Sequence, residues 1–412
     1  MAHGAIVDAA CNDGATPICI AAENGHHDIA TLLLAHGASV DAACNDGATP
    51  LFIAAQNGHI DISTLLLTHG ATVDAACNDG STPLYIAAQN GHIDISTLLL
   101  AHGAIVDAAC NDGATPICIA AENGHHDIAT LLLAHGASVD VPNSSGVEPL
   151  WIAALRGHRG MADLLLAHGA FVDAPDNTGT TPFSVASQKG HKDTVELLLA
   201  HGAFVDAPNK TGATPLWVAA QTGRKDMAEL LLAHGASVDA PDNTGVTPLY
   251  ISSYAGHTNM AEFLLARGAL VDAPNNSGAT PLSVAAHQGH NDTAELLLAH
   301  GAFVDAPNNT GATPLWLAAQ TGRKDMAELL LAHGASVNAS VKGGVTPLLV
   351  AAHRGRKDMA ELLLSHRASV IAPDKITCRR VPITAKSGLH ARENMGPTHS
   401  RSNSVTHMRM QR

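Results

Sequence analysis

The chain has 412 residues, 46 % of them apolar but only 3 % aromatic, and a formal net charge of −14. Apolar content built from Ala, Leu, Val and Ile at this length suits many thin layers better than one large core. No apolar run approaches the roughly 18 residues that cross a bilayer, and an acidic body repels phosphate backbones, which argues against nucleic acid as its partner.

The charge is unevenly spread. Residues 1–140 hold fifteen Asp or Glu and no Lys or Arg, whereas 373–412 hold eight Lys or Arg against two acids. The N-terminal stretch MAHGAIVDAACNDG shows no basic segment followed by an apolar block, so no secretory signal is read there. Seven cysteines without such a signal point to a reducing, intracellular setting, cytoplasmic or nuclear.

In chain order, residues 1–11 read as a truncated half repeat, the end of a second helix whose start is not present. Residues 12–372 then follow a period of 33. Thr-Pro begins at Thr16, Thr49, Thr82, Thr115, Thr181, Thr214, Thr247, Thr280, Thr313 and Thr346, and Glu148-Pro149 fills the one gap, giving eleven copies. Each reads approximately G-x-T-P-L-x-x-A-A-x-x-G-H-x-D-x-x-x-L-L-L-x-H-G-A-x-V-D-A.

The second copy shows what such a unit does. Thr49 can cap a helix with its hydroxyl, and Pro50 fits the first turn, where no N–H donor is needed. Leu51, Ala54 and Ala55 follow at helical spacing, and Gly58 stops this short first helix. Asp61 sits in the first turn of a second helix, where negative charge is favourable. Leu65 to Leu67 supply its buried side, and Gly70 ends it in the left-handed conformation. Residues 73–80 read as an extended segment and turn. One unit cannot bury its apolar side alone; stacked units can.

This pattern resembles the ankyrin repeat, and the resemblance covers about residues 2–372. It implies an all-α helix-turn-helix solenoid with short β-turn fingers, elongated, curved and low in contact order. It also implies a non-catalytic protein–protein interaction scaffold or adaptor, with a partner seated on the concave face of the first helices and on the finger tips. The other readings are an interaction region cut from a larger ankyrin-containing enzyme, ligase adaptor or channel, and a structural array without a specific partner.

A second period lies above the first. Residues 2–41 are identical to 101–140, and 211–240 match 310–339 except at Val218/Leu317 and Asp239/Asn338. Both offsets are 99, or three repeats, as block copying would leave them. At the front of the array no polar capping repeat is read, so the apolar face around Ile18, Ile20 and Leu32 is expected to be exposed or covered by something else. Copy eleven carries His353, Arg354, Arg356 and Lys357, and Arg367 replaces its final Gly, as suits a solvent-facing last repeat. Residues 373–412 are aperiodic and basic and read as a disordered tail able to contact acidic surfaces. Folding back on the acidic N-terminal repeats is one expectation for it.

The chemical candidates mostly dissolve into the repeat. Cys19, Glu23, His26 and His27 look like a nucleophile or zinc set, but the slot of Cys19 elsewhere holds tryptophan, and His27 is replaced by Ile60, Ile93, Lys192 or Thr258. Catalytic, cofactor and metal residues are therefore expected to be none. Cys11, Cys44, Cys77 and Cys110 form a ladder whose rungs lie about 10 Å apart, too far for bridges among themselves. Of 26 His, most fall in the Leu-Leu-x-His and Gly-His positions, a regularity that points to local hydrogen bonding and helix-end electrostatics rather than to a pH sensor. The slot of Cys19 holds Phe52, Tyr85, Trp151, Trp217, Tyr250 and Trp316 in other copies. As a row on the first helices these are candidate partner anchors, with Arg224, Lys225, Arg323 and Lys324 as charged neighbours. The opposing reading is packing between repeats. Neighbouring positions also vary (Gln56/Asn57, Leu155/Arg156, Gln188/Lys189, Tyr254/Ala255), as on a changeable surface.

Overall fold

The computed structural model of the chain describes residues 7–370. The tail at 373–412 and most of the half repeat at 1–11 lie outside the described residues. Among those described are 22 helices in eleven pairs and no strand. None of these helices is long and apolar enough to cross a membrane.

Every pair is built alike, for local reasons. In the second repeat Thr49 is extended, at φ −84° and ψ 163°, and its hydroxyl accepts the Phe52 N–H at 3.3 Å. Pro50 then starts an eight-residue helix, Pro50–Asn57, and Gly58 ends it at φ 83°. The nine-residue second helix, Ile60–Thr68, carries Asp61 in its first turn. It closes with two crossed backbone bonds, Gly70 N–H to Leu67 O and Ala71 N–H to Leu66 O, both 3.0 Å. Those bonds require a left-handed residue at position 70, which glycine supplies at φ 81°. In the last repeat Arg367 adopts the same conformation at φ 63°.

Two compact units are present. One runs to Ala219 and takes in Asp226–Ser237; the other holds Ala220–Lys225 and continues from Val238. Within each, first helices pack on the first helices of neighbouring repeats and on their own second helix. The Ala-Ala pairs at that contact, such as Ala87-Ala88 and Ala285-Ala286, are fully buried, which is what small side chains permit.

Three polar ladders reinforce the stack. Finger bonds finger, as in Asn45 N–H to Asp13 O at 3.0 Å and Asn309 N–H to Ser277 O at 2.9 Å. The aspartate of each V-D pair accepts a backbone N–H from the next repeat, as Asp41 does from Thr72 at 3.1 Å. From the second repeat on, the histidine of the Gly-His step reaches a carbonyl of the preceding repeat through Nε2, as His158 does to Glu122 O at 3.2 Å. The Leu-Leu-x-His histidines instead bond their own helix end, His102 Nδ1 to Leu98 O at 2.9 Å. Local hydrogen bonding thus accounts for both histidine sets.

The front of the array differs from expectation in one residue. Ile18 is completely buried, while Ile20, Ile29 and Leu32 are exposed. Ile18 belongs to the side covered by its own second helix and the next repeat. Its neighbours point where a preceding repeat would sit: the equivalent of Ile29 one repeat later, Ile62, is buried.

Candidate partner-binding surface

The aromatic slot is the third residue of each first helix. In most repeats its backbone N–H is held by the capping threonine: Tyr85 by Thr82 and Trp217 by Thr214 at 3.2 Å, Trp316 by Thr313 at 3.4 Å. That fixes where the side chain leaves the helix, and it leaves toward the finger of the following repeat. Trp151 Nε1 donates to Thr180 O at 2.9 Å, and Trp316 Nε1 to Val345 O at 3.1 Å. The Tyr250 hydroxyl accepts from Asn275 Nδ2 at 3.3 Å. Burial, then Tyr254 and Asp242, push that hydroxyl's pKa well up, and burial followed by Cys110 does the same at Tyr85.

The row is therefore a set of struts between repeats with unequal access to solvent. Phe52, Tyr250 and Trp316 are 7 %, 2 % and 2 % exposed, closed to any partner that leaves the repeats intact. Tyr85, Trp151 and Trp217 are half-buried and keep an accessible edge. All three lie in the first unit.

The four cations are exposed. Arg323 occupies the Gly-His position, and its stem lies across Gly289, where an added Cβ would meet Cδ at 2.8 Å. Lys324 pairs with Glu328 at 3.6 Å, and Lys225 Nζ stands 5.6 Å over the Phe263 ring. Trp316 and Arg323 mark opposite ends of one first helix, roughly 10 Å apart along its axis. The structure does not bring them together as neighbours.

The slot cysteines obey the same geometry. Cys19 accepts from the Thr16 hydroxyl at 3.3 Å and donates to Ala42 O at 3.1 Å, which sets it beside Cys44 of the next finger. Burial first, and Cys19 next, push the Cys44 thiol up to about 12. Burial and Asp79 push Cys77 up to about 11. Such thiols stay protonated at neutral pH and are poor nucleophiles. All six cysteines of the described residues are unbridged. Spacing along the ladder missed the Cys19–Cys44 contact, because it runs from slot to finger rather than rung to rung. Among the described residues no three His, Cys, Asp or Glu converge as metal ligands would.

A feature that sequence reasoning passed over lies just after the Gly-Ala pair that follows each second helix. That position holds Ile105, Phe171, Phe204, Leu270 and Phe303 in five repeats, and all are about 60 % exposed. In the other full repeats it holds Ser or Thr, and in the half repeat Ile6, so tabulating this one position would have exposed the substitution. Each of these residues is fixed by the aspartate ladder, as in Phe204 N–H to Asp173 at 3.2 Å. Phe204 also borders a shallow open cleft with Asp173, Pro175, Pro208 and Lys210, inside the first unit. Burial raises the Asp173 carboxyl pKa there, and the Phe204 N–H partly offsets it.

A comparison with curated proteins finds no match. The family model for ankyrin repeats matches six overlapping windows, 2–77, 73–143, 135–209, 205–275, 269–341 and 304–374. With paired helices, Thr-Pro caps and turn fingers repeating throughout the described residues, the chain belongs to the ankyrin-repeat family.

Proposed function

We propose that this chain is a non-catalytic scaffold that binds a protein partner through the first-helix side and the fingers of its repeats. Ankyrin repeats are generally protein-interaction modules. One observation carries the reading to this chain: at the end of the first helix the positions that change between repeats face solvent. Gln56/Asn57, Leu155/Arg156 and Gln188/Lys189 are half-buried or exposed, while the constant Ala-Ala pairs are sealed. A rigid frame with a changeable outer skin suits recognition.

In the first unit the contact is made by the accessible edges of Tyr85, Trp151 and Trp217 and by Phe204 at the rim of its cleft. Large half-exposed aromatics anchor interfaces because they bury much area at small entropic cost. In the second unit Arg224, Lys225, Arg323 and Lys324 supply charge at the rim. Phe52, Tyr250 and Trp316 serve the reading only indirectly, by holding the frame.

The test is proximity labelling and affinity capture with the full chain against a Trp151→Ala, Trp217→Ala, Phe204→Ser variant. A partner set lost from the variant, with helicity unchanged, supports the surface. Unchanged recovery of every captured protein counts against it.

A further inference from the structure

The exposed apolar positions of the second unit, Leu270 and Phe303, belong to a row with a defined exit. Their backbone N–H groups bond Asp239 at 3.1 Å and Asp272 at 3.0 Å. The next two members of the same row are Ser336, on Asp305 at 3.0 Å, and Ser369, on Asn338 at 2.8 Å. Ser369 is also where the array ends: Val370 follows, 76 % exposed, and residues 371–412 lie beyond the described residues. The chain thus leaves the array on the very row that carries Phe303 and Leu270.

What leaves is chemically matched to that row. Residues 375–386 read KITCRRVPITAK, with four basic residues, no acid, and the apolar side chains Ile376, Val381 and Ile383. Asp239, Asp272 and Asp305 place a half-buried carboxylate beside the row at each repeat; Asp239 and Asp272 accept the backbone N–H of the row, and Asp305 accepts both the N–H and the hydroxyl of Ser336. Two cations flank the row, Arg267 and Arg367. Arg267 is engaged on the Phe263 ring at 4.7 Å, and Arg367 stands at the exit itself.

The reach also fits. Adjacent repeats are spaced by about one helix layer, roughly 10 Å. Phe303 therefore lies about 20 Å from the exit and Leu270 about 30 Å. An extended chain advances about 3.3 Å per residue. Counting from residue 370, Ile376 comes level with Phe303, and Arg379, Arg380 and Val381 come level with Leu270 and its aspartate neighbours.

We propose that residues 375–386 dock back along this row, seating Ile376 and Val381 on Phe303 and Leu270 with the arginines against the aspartates. Two large exposed side chains in register are then covered by the chain's own continuation. Tethering makes this efficient, since a short linker holds the segment at an effective concentration of about 1 mM, so that even weak contacts keep it mostly bound. The row in the second unit is closed to partners while the tail is seated, and a modification or competitor that removes the tail opens it.

Trypsin cleavage after Arg379 and Arg380 in the folded full chain tests this. At low salt the wild type is expected to be cut about tenfold more slowly than a Leu270→Ser, Phe303→Ser variant, as tethered docking implies. Serine already occupies the slot in the last two repeats, so the variant keeps the fold. Ile376→Ser with Val381→Ser leaves the repeats untouched and is expected to lose the same protection, and about 0.5 M salt should narrow the gap. Equal rates in wild type and both variants overturn the proposal. So does protection that grows with protein concentration, which would place the tail on a second copy.

Discussion

Glu148 stands where the other ten repeats have the capping threonine. It keeps the extended backbone of a cap, at φ −97° and ψ 164°, but its side chain accepts no bond from the helix. Its Oε2 is buried without a hydrogen-bond partner. Glu148→Thr should supply Trp151 N–H with the hydroxyl bond that Thr181 gives Ser184 in the next repeat, and add about 1 kcal/mol to the stability of the first unit. The gain should depend on pH in a defined direction. Burial, then Asp140, raise the Glu148 carboxyl above its ordinary 4.5. A raised carboxyl is harmless below pH 4.5, where it is protonated in both states, and its penalty grows as pH climbs through the folded value. Threonine removes that penalty, so urea midpoints of wild type and variant should differ more at pH 7 than at pH 4. A gain that is absent, or larger at pH 4, would show that the orphaned carboxyl is not what weakens this cap.

At the scale of the repeat, the Gly-His step is a single device shared by two repeats. Gly157 ends its helix at φ 73°, and the His191 ring of the next repeat lies against it while Nε2 reaches Leu155 O at 3.0 Å. A Cβ on Gly157 would meet His191 Nδ1 at 2.5 Å, so Gly157→Ala brings both left-handed strain and a displaced latch. We expect it to cost about 2–3 kcal/mol, and His191→Ala alone about 1 kcal/mol. Because both act on one contact, the double variant should be little worse than Gly157→Ala; energies that add within about 0.3 kcal/mol would refute the shared latch. The sequence shows this device only in part. Thr-Pro starts, glycine stops and the 33-residue period are legible because they depend on local backbone preference. Where a side chain lands depends on the repeat that follows: Trp316 meets Val345 and Cys19 meets Cys44 across gaps no local pattern marks. Whether a slot tryptophan is sealed, as Trp316 is, or keeps an edge, as Trp151 does, is set by that finger. Phe171, Phe204 and Phe303 lie in turns, where no 3.6-residue rhythm separates an outward apolar residue from an inward one.

Over the whole molecule, charge is the property that stacking amplifies. Residues 1–140 carry fifteen acids and no Lys or Arg, whereas farther along the chain cations sit among the acids, as in Lys192–Asp226 at 3.2 Å and Lys324–Glu328 at 3.6 Å. Stacked repeats set like charges about 10 Å apart, close to the Debye length of about 10 Å at 0.1 M salt, so the acidic block repels itself chiefly at low ionic strength. Repeat six already places Lys189 at the end of its first helix, and the same position holds Asn90 in repeat three and Gln288 in repeat nine. A lysine there meets the same helix-end dipole in both repeats but different surroundings. Asn90→Lys should therefore stabilise its unit by about 0.5–1 kcal/mol at low salt, roughly twice the gain from Gln288→Lys, and the excess should disappear near 0.5 M salt. Thermal unfolding of both variants at two salt concentrations measures it. Equal gains would mean that helix-end chemistry alone is at work and that the cation-free block carries no collective strain. An excess that survives high salt would point instead to a specific new contact at residue 90, replacing the Asn90 Nδ2 bond to Gln56 O at 2.9 Å that the substitution removes.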